Sequence, residues 1–346
     1  MKIGIIGCGK IAESHVIALS FNSVIKLDKI ILFDVCEEQT DRIVRIAHVP
    51  TFIAKSIEEL AKKSDFVIIS NPNSEHYSSI KKLLETNPIP FICEKPLSNT
   101  LEGAEFIKNN APSGSIVSFN YRYNPIFLKL KEHLDINNYG QCLFFEAEIK
   151  KNSALVRKEF TWRDSSDQNY TSGALGDLSC HLLDAFQWLT DSKIILNTLT
   201  ITGGTRIKTK FQQKVNVDDI GFIFGNSSKN INFKIKASKS ESICNEFLKI
   251  TIIFQDAEIT YTTKSSNIIK VQRFDSPNVC LIELGEEKYI HDIEPQCPYW
   301  IESFVNIHNA WFNMLTNKSR DINLPTLSDG LDIQNIISLL KIKIKL

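Results

Sequence analysis

The chain has no excess of charge of either sign: Lys plus Arg and Asp plus Glu each number 40. That balance excludes the basic field by which proteins hold nucleic acid or an anionic membrane surface. Long apolar runs are also missing, and no segment approaches the roughly 20 residues of a membrane span. The opening Met1-Lys-Ile-Gly-Ile-Ile has neither the apolar length nor the cleavage pattern of a secretory signal. Eight cysteines are present, but no Cys-x-x-Cys pair, so neither structural zinc nor any other metal site is expected. Several of them lie in apolar, strand-like runs, the setting of reduced core thiols in a cytoplasmic protein. No internal repeat and no low-complexity linker interrupts the chain. What is present is 346 residues, 43% of them hydrophobic and 23% charged, an ordinary globular composition with length for about two domains.

The first of these reads as a doubly wound α/β unit. Lys2-Ile-Gly-Ile-Ile-Gly7 is a short apolar run of the kind a strand buried on both faces requires. It passes into Gly7-Cys-Gly-Lys-Ile-Ala12, a G-x-G-x-x-A sequence followed by helical periodicity. Between a strand and a helix this is a dinucleotide fingerprint. Gly7 permits the tight turn, Gly9 admits backbone to the pyrophosphate, and Ala12 lets helix pack on strand. Lys10 and Ile11 open the helix, whose free N–H groups suit the phosphates. A second apolar strand ends at Asp34, where a carboxylate accepts ribose hydroxyls and repels a 2′-phosphate. No arginine follows at once, so NAD is expected rather than NADP. Ser56-Ile-Glu-Glu59 reads as a capping box. Further strands end at Asn71-Pro72-Asn73 with His76 beyond, and at Glu94-Lys95-Pro96. All four strand ends share one sheet edge, which is where a dinucleotide lies.

After a sixth strand and Asn120-Tyr-Arg-Tyr-Asn-Pro125 the pattern changes, and strands outnumber helices. Seven further strand-like runs between residues 196 and 284 predict an open, mostly antiparallel sheet with helices on one face. The boundary is placed at 122/123, giving a nucleotide-binding domain over 1–122 and a substrate-binding, oligomerising domain over 123–346. Two amphipathic helices near the C-terminus are expected to return toward the first domain. Gly173 to Leu189 reads as one long helix on which Asp177, His181 and Asp184 form a polar ridge at i, i+4 and i+7. Such a ridge suits a helix that lines a cleft.

In this order, Gly7-Cys-Gly-Lys-Ile-Ala12, Pro72-Asn73 with His76, Glu94-Lys95-Pro96, Asn120 to Pro125 and Asp177-x-x-x-His181-x-x-Asp184 resemble the glucose-fructose oxidoreductase / inositol dehydrogenase / MocA family. The resemblance implies a Rossmann domain followed by an α+β domain with a large open sheet that often forms homodimer or homotetramer contacts. It implies NAD and a small-molecule substrate: a sugar, a sugar derivative such as a nucleotide sugar, or a cyclitol. It also implies a cis bond before Pro96. Lys95, Asp177 and His181 match the family's catalytic group, and Lys95 and Glu94 with Asn71, Pro72, Asn73 and His76 its cofactor contacts. His181 suits proton transfer near neutral pH, and Lys95 suits charge on a developing alkoxide. Tyr121, Arg122, Trp162 and Arg163 are further candidates for substrate contacts. Two other activities occur in such a family, NAD-assisted glycoside cleavage and non-catalytic nucleotide sensing. The chain departs from its relatives in keeping one glycine in Tyr170-Thr-Ser-Gly173, in Tyr123, and in its Lys-Ile-Lys-Ile-Lys-Leu346 ending.

Overall fold

A computed structural model describes residues 1–165, 173–265, 267–294, 296–317 and 319–340. They form two compact units, one of residues 1–124 with 301–334, the other of 125–300 with the remaining C-terminal residues.

In the first unit β1 (Lys2–Ile6), α1 (Lys10–Ser20), β2 (Lys29–Phe33), α2 (Glu37–Ile46), β3 (Thr51–Ile53), α3 (Ile57–Lys63) and β4 (Phe66–Ile69) alternate strictly. α4 (His76–Thr86), β5 (Phe91–Cys93), α5 (Leu101–Asn110) and β6 (Ile116–Val117) continue the pattern. The sheet order is β3-β2-β1-β4-β5-β6 and every pairing is parallel. A strand covered on both faces has no use for a polar side chain, and Ile3, Ile5, Ile6, Ile30, Val67, Ile68 and Phe91 are all at most 1% exposed. The sixth strand is shorter than the run Ser115 to Phe119 suggests. At α3 the capping box is half made. Ser56 accepts the Glu59 amide at 3.2 Å, but the Glu59 carboxylate reaches one residue further, to the Lys55 amide at 2.8 Å.

The second unit opens with α6 (Pro125–Ile136), β7 (Cys142–Lys150) and α7 (Ser153–Val156). The expected single helix from Gly173 is two helices, α8 (Ala174–Asp177) and α9 (Ser179–Thr190), separated at Leu178. Then come β8 (Thr200–Gly204), β9 (Thr209–Lys210), β10 (Gln213–Lys214), β11 (Ile220–Asn226) and β12 (Asn232–Ser238). β13 (Phe247–Phe254), β14 (Ala257–Thr262), β15 (Ile268–Arg273) and β16 (Val279–Glu283) complete the strands. β9 and β10 form a small hairpin that alternation did not reveal. The other eight make one sheet, β16-β15-β14-β13-β7-β12-β11-β8, antiparallel except where β7 meets β12.

One face of that sheet is apolar and carries α9. Phe186 sits between Phe145 of β7 and Phe233 of β12, with ring centroids 5.1 and 4.7 Å away, and Phe145 and Phe233 are themselves register partners. The opposite face is polar. Lys234 and Lys236 pair across the β7–β12 seam with Glu146 at 2.7 Å and Glu148 at 2.6 Å, as opposite charges on facing positions favour.

The chain ends with α10 (Trp300–Asn317) and α11 (Leu327–Ser338), and residues 301–334 belong to the first unit. Trp311, fully buried, lies edge-on to Phe66 at 5.6 Å and donates its indole N–H to the Gly114 carbonyl at 2.7 Å. The basic tail beyond residue 340 lies outside the described residues.

Phe186 is the key of the second core. Phe186→Ala is expected to cost about 3–5 kcal/mol in a urea melt; a loss below about 1 kcal/mol would show that α9 is not seated by this ring.

Candidate active site

Four loops leave the carboxyl ends of β1, β2, β4 and β5, and each holds part of the nucleotide signature. Gly7 has φ of +88°, and a Cβ there would meet the Asn71 backbone nitrogen at 2.3 Å. Only glycine permits this approach. The Gly7 carbonyl accepts the Ser70 hydroxyl at 2.7 Å, which fastens the first loop to the third. Gly9 is the N-cap of α1 and has no side-chain cap. A Cβ added there would meet nothing nearer than Gln39 Oε1 at 3.4 Å, so the backbone stands open to a ligand. Lys10 is exposed, Ile11 half-buried and Ala12 buried. The unsatisfied N–H groups of the first turn give α1 its affinity for phosphate.

Asp34 joins the first two loops. Its Oδ2 accepts the Cys8 amide at 2.6 Å and its Oδ1 the Cys36 amide at 2.8 Å. Each oxygen keeps a lone pair for a hydroxyl. The nearby Arg42 is engaged with Glu13 at 2.6 Å, and burial pushes the Cys8 thiol up to about 12, which makes it inert. In the third loop Asn71 donates its Nδ2 to Ser79 at 2.8 Å, while its Oδ1 is buried and has no partner in the protein. An orphaned acceptor beside an open glycine cradle is what a dinucleotide site presents, so the residues fit NAD. Pro72 caps a 3₁₀ turn that starts at Asn73, a buried residue.

His76 braces the third loop to the fourth. Its ring nitrogens lie 3.0 Å from the Asn71 carbonyl and 3.1 Å from the Pro96 carbonyl, and burial lowers its pKa. The Lys95–Pro96 bond is cis. Glu94 is 5% exposed, its Oε1 2.9 Å from His15 Nε2, and its Oε2 accepts the Lys95 amide at 3.2 Å. Burial works to raise Glu94, but the hydrogen bond and charge of His15 outweigh it and hold the carboxyl below its ordinary range. Lys95 is half-buried at this strand end.

Tyr121 and Arg122 are buried in the first unit, 4% and 6% exposed. Arg122 pairs with Asp329 of α11 at 3.4 Å, and Tyr123 donates to Asp321 at 2.8 Å. Arg122 and Tyr123 thus hold the returning C-terminal segment.

The second unit builds its polar cluster around the start of α8. Asp218 accepts the Leu175 amide at 2.8 Å through Oδ2, and its backbone carbonyl accepts the Ala174 amide at 2.9 Å. A Cβ at Gly173 would lie 2.0 Å from Asp218 Oδ1, so the one glycine kept here is required by the cap. Burial pushes Asp218 up to about 6. Tyr170 to Ser172 lie outside the described residues. Asp177 closes α8 and pairs with the buried Lys239 at 2.8 Å. On α9 His181 and Asp184 are both buried, 6% and 1% exposed. Asp164 receives Arg157 at 2.8 Å and Lys210 at 3.0 Å. Trp162 is 38% exposed, and the Arg163 guanidinium stacks over it at 4.2 Å. Arg157, Arg163, Lys210 and Lys239 line one cavity of about 10 Å³, room for roughly one water.

Three functional candidates went unread in the sequence. Lys239 follows the alternating strand β12 somewhat as Lys95 follows β5, a signal that many solvated lysines share. His15 and Asp218 carry no local signature. Among the described residues no group of three His, Cys, Asp or Glu side chains could hold a metal ion.

Known proteins share this architecture. Residues 1–121 match a family described as "Oxidoreductase family, NAD-binding Rossmann fold", and residues 127–257 match the GFO/IDH/MocA C-terminal domain. The chain is 31% identical over 345 residues to glucose-6-phosphate 3-dehydrogenase of Bacillus subtilis (strain 168), covering 98% of this chain and 95% of the relative. It is 25% identical over 202 residues to inositol 2-dehydrogenase of Agrobacterium fabrum, 56% of each. A levoglucosan dehydrogenase solved with NADH and levoglucosan superposes with a TM-score of 0.84 at 17% identity, over 99% of this chain and 96% of that one. The chain therefore belongs to the GFO/IDH/MocA family of oxidoreductases, and its first unit is that family's NAD-binding Rossmann domain.

Proposed function

We propose that the protein oxidises a ring secondary hydroxyl of a phosphorylated hexose, or reduces the matching ketone, with NAD as partner. The observation that carries the reading is the end-to-end likeness, 31% identical over 98% of the chain, to glucose-6-phosphate 3-dehydrogenase. The partial relatives named for levoglucosan and inositol support the wider class of sugar and cyclitol alcohols. NAD, when bound, supplies the hydride acceptor. His181 takes the hydroxyl proton, because an imidazole exchanges protons near neutral pH without a large energetic cost. Lys95 holds positive charge beside the oxygen as it becomes an alkoxide. Asp177, anchored by Lys239, accepts a neighbouring substrate hydroxyl and fixes the ring. Arg163 is our choice for the phosphate, since its guanidinium, stacked on Trp162, offers the fork geometry a phosphate accepts, and Trp162 offers a face to the sugar.

A reducing cytoplasm suits a chain whose eight cysteines are all free thiols. Self-association through the polar face of the large sheet is supported by exposed apolar side chains within one register row: Phe224 beside Lys234 and Leu281 beside Lys270, 39% and 51% exposed.

Lys95→Ala and His181→Ala are expected to lower kcat by about 10²–10⁴-fold while NADH fluorescence titrations stay within about twofold of wild type; unchanged turnover in both variants would remove them from the chemistry. Glucose 6-phosphate should exceed glucose in kcat/KM by at least about tenfold, and Arg163→Gln should raise KM for the phosphorylated sugar alone. Equal turnover of the two sugars would refute the phosphate reading. Light scattering should give a dimer or tetramer, shifted toward monomer by Leu281→Glu; a monomeric wild type would dismiss the sheet as an interface.

A further inference from the structure

Three ionisable side chains form a hydrogen-bonded chain inside the first unit. His308 of α10 meets His15 of α1, Nε2 to Nδ1 at 2.9 Å, and His15 meets Glu94, Nε2 to Oε1 at 2.9 Å. Both imidazoles are 0% exposed and Glu94 is 5% exposed. Phe304 and Phe312 pack against the rings, with centroids at 4.8 Å from His15 and 6.2 Å from His308. Such groups are costly in a core that aliphatic side chains would fill, and burying them is tolerated when each finds its partner. The first two lie 293 residues apart in sequence and on different helices, so no local turn or cap explains them.

A carboxylate accepts only, so His15 presents Nε2–H to Glu94. Across the Nδ1···Nε2 contact between the two rings one nitrogen donates and the other accepts. Burial drives His308 well below its ordinary pKa, and its Nδ1 is buried without a partner in the protein. The chain of contacts therefore ends on a donor aimed at the Glu94 carboxylate. That carboxylate also accepts the Lys95 amide. The titratable groups facing Glu94 are His15 from α1, with His308 behind it from α10, His76 at the start of α4, and Cys93 and Lys95 along its own strand.

We propose that His15 and His308 are positioning residues which keep Glu94 ionised and oriented at the end of β5, as an acceptor for bound NAD and a fixed support for the Lys95 turn. Glu94 touches the cofactor in this assignment, and the two histidines act through it. The proposal depends on the NAD-binding domain and not on the identity of the sugar.

The test is NADH affinity of the full-length protein from pH 6 to 9, read by fluorescence without any sugar. Wild type is expected to bind with little change over that range. His15→Leu leaves the buried carboxylate without its donor, so burial, no longer opposed by His15, raises the Glu94 pKa and favours its protonated form. Affinity should then fall about tenfold at pH 6.5 and recover toward wild type by pH 9, while His15→Gln, whose amide can still donate, should restore most of it. A loss that is the same at every pH, or no loss, would refute the proposal. Should His15→Leu not fold, the ¹³C shift of the wild-type Glu94 carboxyl decides: it is expected to report an ionised carboxylate throughout pH 6 to 9. A Glu94 carboxyl that takes up a proton within that range would overturn the assignment.

Discussion

The backbone of Gly7 lies so close to the backbone of Asn71 that no side chain fits between them. That contact brings the ends of β1 and β4 together, and much of the first unit follows from it. It places the start of α1 where the loop after β2 can be tied to it through Asp34. It also sets the third loop against the fourth, since His76 spans from the Asn71 carbonyl to the Pro96 carbonyl. The cradle is thus a set of backbone segments held by hydrogen bonds, and its open positions are those where side chains are small or absent. A dinucleotide needs that kind of surface, because its pyrophosphate is recognised by N–H groups rather than by side-chain charge.

Much of this was legible in the sequence because its causes are local. Continuous apolar runs gave β1, β2, β4 and β5, since a strand covered on both faces needs nothing polar. Glycines at 7 and 9 and the acid at 34 marked the cradle, because each answers a steric or charge demand at its own position. The features that escaped depend on distant partners. The break at Leu178 divides what periodicity joins, and periodicity reports a buried face without reporting the helix's continuity. The parallel pairing of β7 with β12 is a topological choice between strands that look alike in sequence. Lys239 and Asp218 gain meaning only from Asp177 and the start of α8. The pairing of Arg122 with Asp329 likewise joins residues that no local pattern connects.

The second unit solves a different problem. A broad sheet exposes one face, and the face that carries α9 is sealed by aromatic rings, with Phe186 seated over the seam between β7 and β12. The unit's polar cluster gathers about α8, whose start Asp218 caps and whose last residue, Asp177, Lys239 holds. Side chains paired in this way lose little further conformational entropy when a ligand arrives, which is how a protein keeps binding energy for the reacting atoms.

The composition of the first unit from two separated stretches bears on its birth at the ribosome. Trp311 completes the packing around Phe66, and Arg122 and Tyr123 find Asp329 and Asp321 only when the last tenth of the chain exists. Domains usually fold as they emerge, at about 5–20 residues per second. Here the nascent nucleotide-binding unit waits some ten seconds or more with an aromatic flank exposed, while the whole second unit is made. The interval in which that flank is uncovered falls in the middle of the chain's own synthesis.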